Sequence, residues 1–164
     1  TGAVLHSFAA GIATPVGLAW DGRALWLVDF DLDRIYQLNP LTGAILRTFP
    51  APSTGESDLT WDGRALWLTD ANLDRIYQLN PLTGAVLRSF AAPALTPRGL
   101  AWDGRALWHV DQSTQRAYLI DPVAGAVRRS FVTGIVRPRG LAWDGRALWV
   151  TDDSTNAIFQ ISVV

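Results

Sequence analysis

The hydrophobic positions of residues 15–52 fall into four short runs that are separated by polar turns. The first run, at 17–20, ends at Asp21-Gly22, a dipeptide typical of tight β-hairpins. A β-branched and aromatic run at 24–28, an alternating run at 34–38 and a last run at 44–49 follow it. No segment keeps the period of a helix. The pattern predicts four β-strands, of which the first two are apolar throughout.

The same pattern returns every 41 residues. The heptapeptide Trp-Asp-Gly-Arg-Ala-Leu-Trp begins at Trp20, Trp61, Trp102 and Trp143, so that four repeats span the 164 residues. Four short strands per repeat of this length are typical of a propeller blade. We therefore predict one all-β domain over residues 1–164, a four-bladed β-propeller of four-stranded blades. Blade one is expected at 15–52, blade two at 56–93, blade three at 97–132 and blade four at 138–164.

The two ends of the chain continue the period. Residues 1–5 are in phase with residues 42–46, and blade four has only three strands of its own. We expect residues 2–8 to complete the last blade, because pairing the two ends removes exposed strand edges. Closure within one chain gives a monomer, whereas exchange between two chains gives an eight-bladed homodimer. We expect the monomer, since it avoids the entropic cost of association.

The repeat resembles a known group of propellers. The segments Gly-Leu-Ala-Trp-Asp-Gly, Leu-Trp-Leu-Val-Asp and Arg-Ile-Tyr-Gln-Leu-Asn-Pro-Leu-Thr-Gly are similar to the blades of NHL-repeat, YVTN-repeat and streptogramin-lyase-like propellers. The resemblance covers all the repeats and implies a propeller whose shared motifs are structural. Members of the group usually carry more than four blades. The resemblance therefore leaves open both a compact ring and half of a larger one.

Composition excludes several kinds of site. With 14 basic and 15 acidic residues, the chain has no charge excess that would favour nucleic acid or an anionic membrane. It has no cysteine, which excludes disulfides and thiolate sites. No phosphate loop, nucleophile elbow or metal-ligand spacing is present, so we expect no cofactor. Composition does not indicate a cellular compartment.

The repeated aromatic and acidic residues have structural interpretations. Trp20 and Trp26 are expected to pack between blades rather than to stack on a sugar. Each second strand ends in an aspartate, which we expect to bond to nearby backbone or to an arginine of its own blade: Asp29, Asp70, Asp111 and Asp152, with Arg34, Arg75 and Arg116 as the arginines.

The turn after the second strand of blade one resembles the first half of a calcium-binding loop. Asp29, Asp31 and Asp33 alternate as the first ligands of an EF-hand do, but Arg34 and Pro40 stand where that loop needs glycine and a bidentate acid. We expect a turn capped by these side chains. An oxygen-ligated cation site at Asp29, Asp31 and Asp33 is the alternative.

Function is expected where a repeat departs from its own pattern. The inner strand begins with Pro-X-Gly at 15–17, 97–99 and 138–140, whereas blade two has Glu56-Ser57-Asp58. In one interpretation Arg98 and Arg139 bind a small anionic ligand or a peptide at the mouth of the channel, beside these acids. In the other, which we favour, Glu56 and Asp58 form ion pairs with the two arginines across a narrow channel.

His109 is a second departure, because the equivalent positions are aliphatic. It is either a general base, with Asp111 on the same strand face, or a hydrogen-bonded core residue. Three functions remain open. The first is a non-enzymatic scaffold or binding module that uses Glu56, Asp58, Arg98, Arg139 and His109. The second is a lyase- or hydrolase-like enzyme that uses His109 and a cation. The third is a chain engineered or excised for propeller assembly, without a ligand, which the missing initial methionine favours.

Overall fold

The repeats fold into four small antiparallel sheets around a central channel. The structure, a computed structural model, describes residues 2–163. Within that range the strands are β1 Pro15–Trp20, β2 Leu25–Asp29, β3 Arg34–Leu38, β4 Ile45–Pro50, β5 Glu56–Trp61, β6 Leu66–Asp70, β7 Arg75–Leu79, β8 Val86–Ala91, β9 Pro97–Trp102, β10 Leu107–Asp111, β11 Arg116–Ile120, β12 Val127–Val132, β13 Pro138–Trp143, β14 Ala147–Asp152 and β15 Ala157–Ser162.

The sheet topology confirms the predicted all-β, four-bladed propeller. Each of the first three blades is an antiparallel meander whose strands lie in chain order, and blade four has the order β13-β14-β15. No helix in residues 2–163 is long and apolar enough to cross a membrane.

The repeated heptapeptide closes the hairpin between the two inner strands of each blade. Asp21 Oδ1 accepts the backbone N–H groups of Arg23 and Ala24, both at 2.7 Å, and its Oδ2 accepts the indole N–H of Trp26 at 2.8 Å. Gly22 takes a φ of 91°, a conformation that side chains disfavour. The motif is therefore a local structural clamp, and it recurs at Trp67, Trp108 and Trp149.

The core lies between consecutive blades. Trp26 and Ile35 of blade one pack with Leu59, Leu66 and Leu68 of blade two, and equivalent clusters join blade two to blade three and blade three to blade four. This confirms the core interpretation for Trp26, which is 1% exposed. The prediction is wrong for Trp20, which is half-exposed and lines the central channel because its strand is the innermost of the blade.

Blade four does not pack against blade one. Leu18 of blade one is 61% exposed, whereas its equivalent Leu59 is 1% exposed. Ile158 of blade four is 68% exposed, whereas its equivalent Ile35 is fully buried. The sheet of blade four has three strands, and residues 2–8 form none, so the predicted completion of the last blade is not formed in this structure. The reason is that residues 6–8 contact the turn between β3 and β4 of blade one instead of the edge of β15.

The segment before β1 nevertheless takes a regular place beside blade one. Phe8 packs over Gly43 in the turn between β3 and β4, as Phe49 packs over Gly84 in the next blade. The ring of His6 lies 2.6 Å from the carbonyl oxygen of Leu41, to which its Nε2–H donates. Residues 6–8 therefore sit where a preceding blade would present its outer strand.

Candidate functional site

A cavity of about 470 Å³ opens at the end of the channel where the inner strands begin. This volume suits a small molecule. All four blades contribute to its wall, which consists of Thr14, Pro15, Val16, Phe30, Glu56, Ser57, Arg98, Arg139 and Gly140. The structure thus brings together three of the residues singled out from the sequence, Glu56, Arg98 and Arg139. It leaves Asp58 and His109 outside the cavity.

Arg98 is a half-buried cation that has no acidic partner. Its Nε donates to Gln112 Oε1 at 3.1 Å, and its Nη1 lies 3.4 Å from Ser57 Oγ. Among residues 2–163 no carboxylate oxygen lies within 4.0 Å of its guanidinium. Burial lowers the pKa of Arg98, and the nearby charge of Arg139 lowers it further. An arginine stays charged at neutral pH, so this site presents a positive charge that no carboxylate pairs directly, although Asp153 and Asp111 act on it from a longer distance.

Arg139 forms its ion pair with an aspartate of its own blade. Its Nε donates to Asp153 Oδ2 at 2.6 Å, and Arg137 Nε approaches the other oxygen of Asp153 at 3.0 Å. The predicted ion pairs of Glu56 and Asp58 with Arg98 and Arg139 are therefore wrong for this structure. The physical reason is that Asp153, 14 residues along the same blade, offers Arg139 a nearer and more exposed carboxylate.

Glu56 places a buried carboxyl group in the cavity wall. Its Oε2 accepts the backbone N–H of Gly55 at 3.1 Å, while Oε1 has no hydrogen-bond partner. Burial raises the pKa of Glu56, and the negative charges of Asp33 and Asp70 add to the rise. The residue is 1% exposed, so Oε1 is a buried acceptor without a hydrogen-bond partner.

Asp58 lies between blades two and three rather than at the mouth. Its Oδ1 accepts the N–H of Leu59 and its Oδ2 accepts the N–H of Leu100, both at 2.9 Å. Burial raises the pKa of Asp58 to about 7. A β-bulge between Glu56 and Asp58 breaks the strand alternation, which explains how two acids in sequence reach different places.

His109 is a core residue. It is fully buried, and its ring stacks on that of Tyr118 with the centroids 6.1 Å apart. Nδ1 lies 3.2 Å from the carbonyl oxygen of Gly99, which can only accept, so Nδ1 carries the proton. Nε2 has no partner. Burial lowers the pKa of His109 to about 4, so the ring is neutral at pH 7. The geometry supports the core interpretation and gives the ring no access to the cavity.

The acidic turn of blade one is capped from within. Asp29 is fully buried and accepts backbone N–H groups from Ala13, Thr14, Asp31 and Leu32 at 2.9–3.2 Å. Although burial opposes it, these bonds hold the pKa of Asp29 below its usual value.

The neighbours of Asp29 do not complete a cation site. Asp31 accepts the hydroxyl proton of Thr14, and Asp33 takes a left-handed φ of 49°. No metal-ligating cluster is present in residues 2–163. The turn interpretation therefore describes the geometry, and Arg34 bonds to Thr48 rather than to Asp29.

A second variable position in each blade was not identified from the sequence. The residue after the strand-ending aspartate is Phe30 in blade one, and Ala71, Gln112 and Asp153 occupy the same place in the other blades. Two of the four contact the variable residue 14 positions earlier, since Gln112 bonds Arg98 and Asp153 bonds Arg139. In blade one, Phe30 and Val16 form an apolar wall of the cavity instead. Comparing the repeats at this position would have identified it.

Comparison with known proteins supports the fold. No family model and no curated protein matches the chain. The glutaminyl cyclase of Myxococcus xanthus matches with a TM-score of 0.75 and 16% identity, over 90% of this chain and 72% of that one. Streptogramin B lyase matches with a TM-score of 0.63 and 22% identity, over 92% of this chain and 55% of that one, so the chain spans about half of the length of the lyase. The computationally designed Ika4 protein matches with a TM-score of 0.68 and 14% identity, over the whole of both chains. At these identities the likeness shows that the chain has a β-propeller fold.

Proposed function

We propose that this propeller is a non-enzymatic binding module whose mouth cavity takes a small organic carboxylate. The observation that carries the proposal is Arg98, a charged and half-buried guanidinium in the cavity wall without an acidic partner. An unpaired charge in a partly desolvated site is costly, and a ligand carboxylate offsets that cost with charge-assisted hydrogen bonds.

The rest of the wall narrows the chemistry of the ligand. The carboxyl group of Glu56 in the cavity wall disfavours a highly charged anion such as a phosphate. Val16 and Phe30 present apolar surface on the opposite side. These features favour a ligand that combines a single carboxylate with an apolar group, as an N-acylated apolar amino acid or the C-terminus of a peptide does.

A propeller of similar structure has been solved with a small molecule. A catalytically inactive virginiamycin B lyase from Staphylococcus aureus with quinupristin matches this chain with a TM-score of 0.63 and 24% identity, over 91% of this chain and 55% of that one. This supports a binding role for a propeller of this kind. The enzyme alternative loses its base, because His109 lies outside the cavity.

Isothermal titration with N-acetylphenylalanine tests the proposal. We expect saturable binding at low salt that Arg98→Ala weakens by about 10- to 150-fold, the equivalent of about 1.5–3 kcal/mol for a bond to a charged group. Arg105→Ala is the matched control, since Arg105 is an exposed arginine in the hairpin between β9 and β10. No binding at millimolar ligand, or equal binding by the wild type and Arg98→Ala, would refute the proposal.

A further inference from the structure

Blades one and four each present a surface that is exposed although its repeats elsewhere in the chain are buried. On blade one this surface is limited to the inner strand, because residues 8–12 cover Leu27, Tyr36 and Leu38. On blade one the exposed side chain is Leu18 of the inner strand, and on blade four the exposed side chains are Trp149 and Ile158. Each of the three contacts formed within the chain joins the first kind of face to the second. The two uncovered faces are therefore complementary halves of an interface that the molecule already builds three times.

The glycines at the start of the inner strands mark where a neighbouring blade packs closely, and at Gly140 that neighbour is absent from the described part of the chain. A Cβ on Gly17 would lie 2.8–2.9 Å from Leu59 and Asp58 of the next blade, and a Cβ on Gly99 would lie 2.6–2.8 Å from Arg139 and Leu141. At Gly140 the nearest atom is Thr151 Oγ1 of its own blade, at 3.4 Å. The sequence keeps glycine at 140 although no other blade within residues 2–163 comes within 4 Å of a Cβ at this position.

A polar contact points the same way. Across the contact of blades two and three, the hydroxyl of Thr69 donates to the carbonyl oxygen of Arg98 at 2.8 Å. Thr151 is the equivalent of Thr69, and its oxygen accepts the N–H of Gly140 at 2.9 Å. By the repeat, the acceptor of its proton is the carbonyl of Val16.

The strand edges are complementary as well. The outer edge of β15 has no paired strand among residues 2–163. Residues 6–8 are held beside blade one by the contacts of His6 with Leu41 and of Phe8 with Gly43, in the place of a preceding blade's outer strand. A blade that packs on blade one therefore receives this segment as its missing strand.

We infer that the occupant of these faces is a second copy of this chain, and that two copies close an eight-bladed ring. In this structure the two faces of one chain do not meet, and a second copy carries both complementary faces. Blade four of each copy then packs on blade one of the other copy. These two identical contacts, which we call seams, are related by a two-fold axis, and they leave no face uncovered and no strand edge unpaired. Each seam repeats the three internal contacts, down to the glycine at 140.

The inference goes beyond the proposed ligand and does not depend on it. It alters the cavity nonetheless, because Val16 and Phe30 on one side and Arg139 on the other border the open seam. In the ring, Arg139 of one copy faces Val16 of the second copy. Arg98 and Glu56 remain in the same chain.

Light scattering on a size-exclusion column tests the inference. We expect the wild type to have about twice the chain mass of 17.9 kDa at micromolar concentration. Ile158→Asp and Gly140→Leu are each expected to raise the dissociation constant at least tenfold and to leave a folded monomer. Neither changes a packed site of the single chain, so circular dichroism should be retained. Leu82→Asp is the control, since Leu82 is 67% exposed in a turn away from the seam.

Each other outcome overturns the inference. A wild-type monomer at all concentrations would mean that the seam stays open or that one chain closes on itself. A dimer that tolerates both seam substitutions would place the interface elsewhere. A mass that rises beyond two chains would contradict the closed ring. Carboxylate binding that depends on Arg98 can persist in every one of these cases, so the two proposals fail separately.

Discussion

Replacing His109 with leucine isolates the energetic cost of a buried histidine. Leucine is the residue at the equivalent positions 27 and 68, so the repeat itself shows that the site accepts it. At neutral pH two effects oppose each other, because the change removes the unpartnered Nε2 but also the donor to the carbonyl of Gly99. We expect the free energies of unfolding to differ by no more than about 1 kcal/mol at pH 7.5.

The test is how the difference in the free energy of unfolding between the wild type and His109→Leu changes with pH. The pKa of His109 falls from 6.5 to about 4 on folding, so its stabilising effect is present above pH 6.5 and is lost as pH falls through 4. Between pH 7.5 and pH 5 the wild type should lose about 2 kcal/mol relative to His109→Leu, and about 3 kcal/mol once both states are protonated. With the usual urea dependence for a small protein, the loss at pH 5 shifts the midpoint by about 1 M.

Urea unfolding at pH 7.5, 6, 5 and 4.5 measures this loss. Other titrating groups, Asp58 among them, are present in both proteins and cancel in the difference. His6→Gln is the matched control, because His6 is the other histidine and is exposed. If the difference between wild type and His109→Leu stays constant over this range, the histidine is not held neutral in the core and the argument fails.

Two further substitutions test the packing between blades. Asp58→Asn should make the free energy of unfolding less dependent on pH. The pKa of Asp58 rises from 3.8 to about 7 on folding, so the wild type loses up to about 4 kcal/mol of stability as pH rises through this range. Urea midpoints of both proteins at pH 5 and pH 8 measure the difference. Gly99→Ala should lower the melting temperature by several degrees, because its Cβ would lie 2.6 Å from Leu141 and from the Arg139 carbonyl. A melting temperature equal to that of the wild type would contradict this contact.

The sequence predicts the features of this fold that depend on local chemistry. Asp21-Gly22 marks the hairpin, the 41-residue period defines the blade, and the buried aspartate of each second strand caps a turn, as Asp29 does. Ser57, Arg98 and Arg139 reach one cavity because the same position of each repeat lies at the same height of the channel, and Glu56 is the chain neighbour of Ser57. These results follow from strand alternation and turn chemistry, which act over a few residues.

The features that the sequence does not predict depend on the geometry between blades. The bulge beside Glu56 turns Asp58 between two sheets, which no alternating pattern indicates. The period states which residues are equivalent, but not the angle through which one blade turns to the next. In this structure Leu18 and Ile158 are exposed while their equivalents are buried. The pairing of Arg139 with Asp153 also depends on where the two side chains lie in space, which the repeat alone does not predict.

The open seam also determines how the single chain loses its structure. Four blades joined by three contacts form a row, in which the inner blades have two neighbours and the end blades have one. The stability of each unit is then the sum of its own term and those of its contacts, so unfolding begins at the ends. Blade four has three strands and an exposed Trp149, so its backbone amides should exchange with solvent first. A closed ring has no end blades, so closure converts gradual fraying into a single cooperative transition.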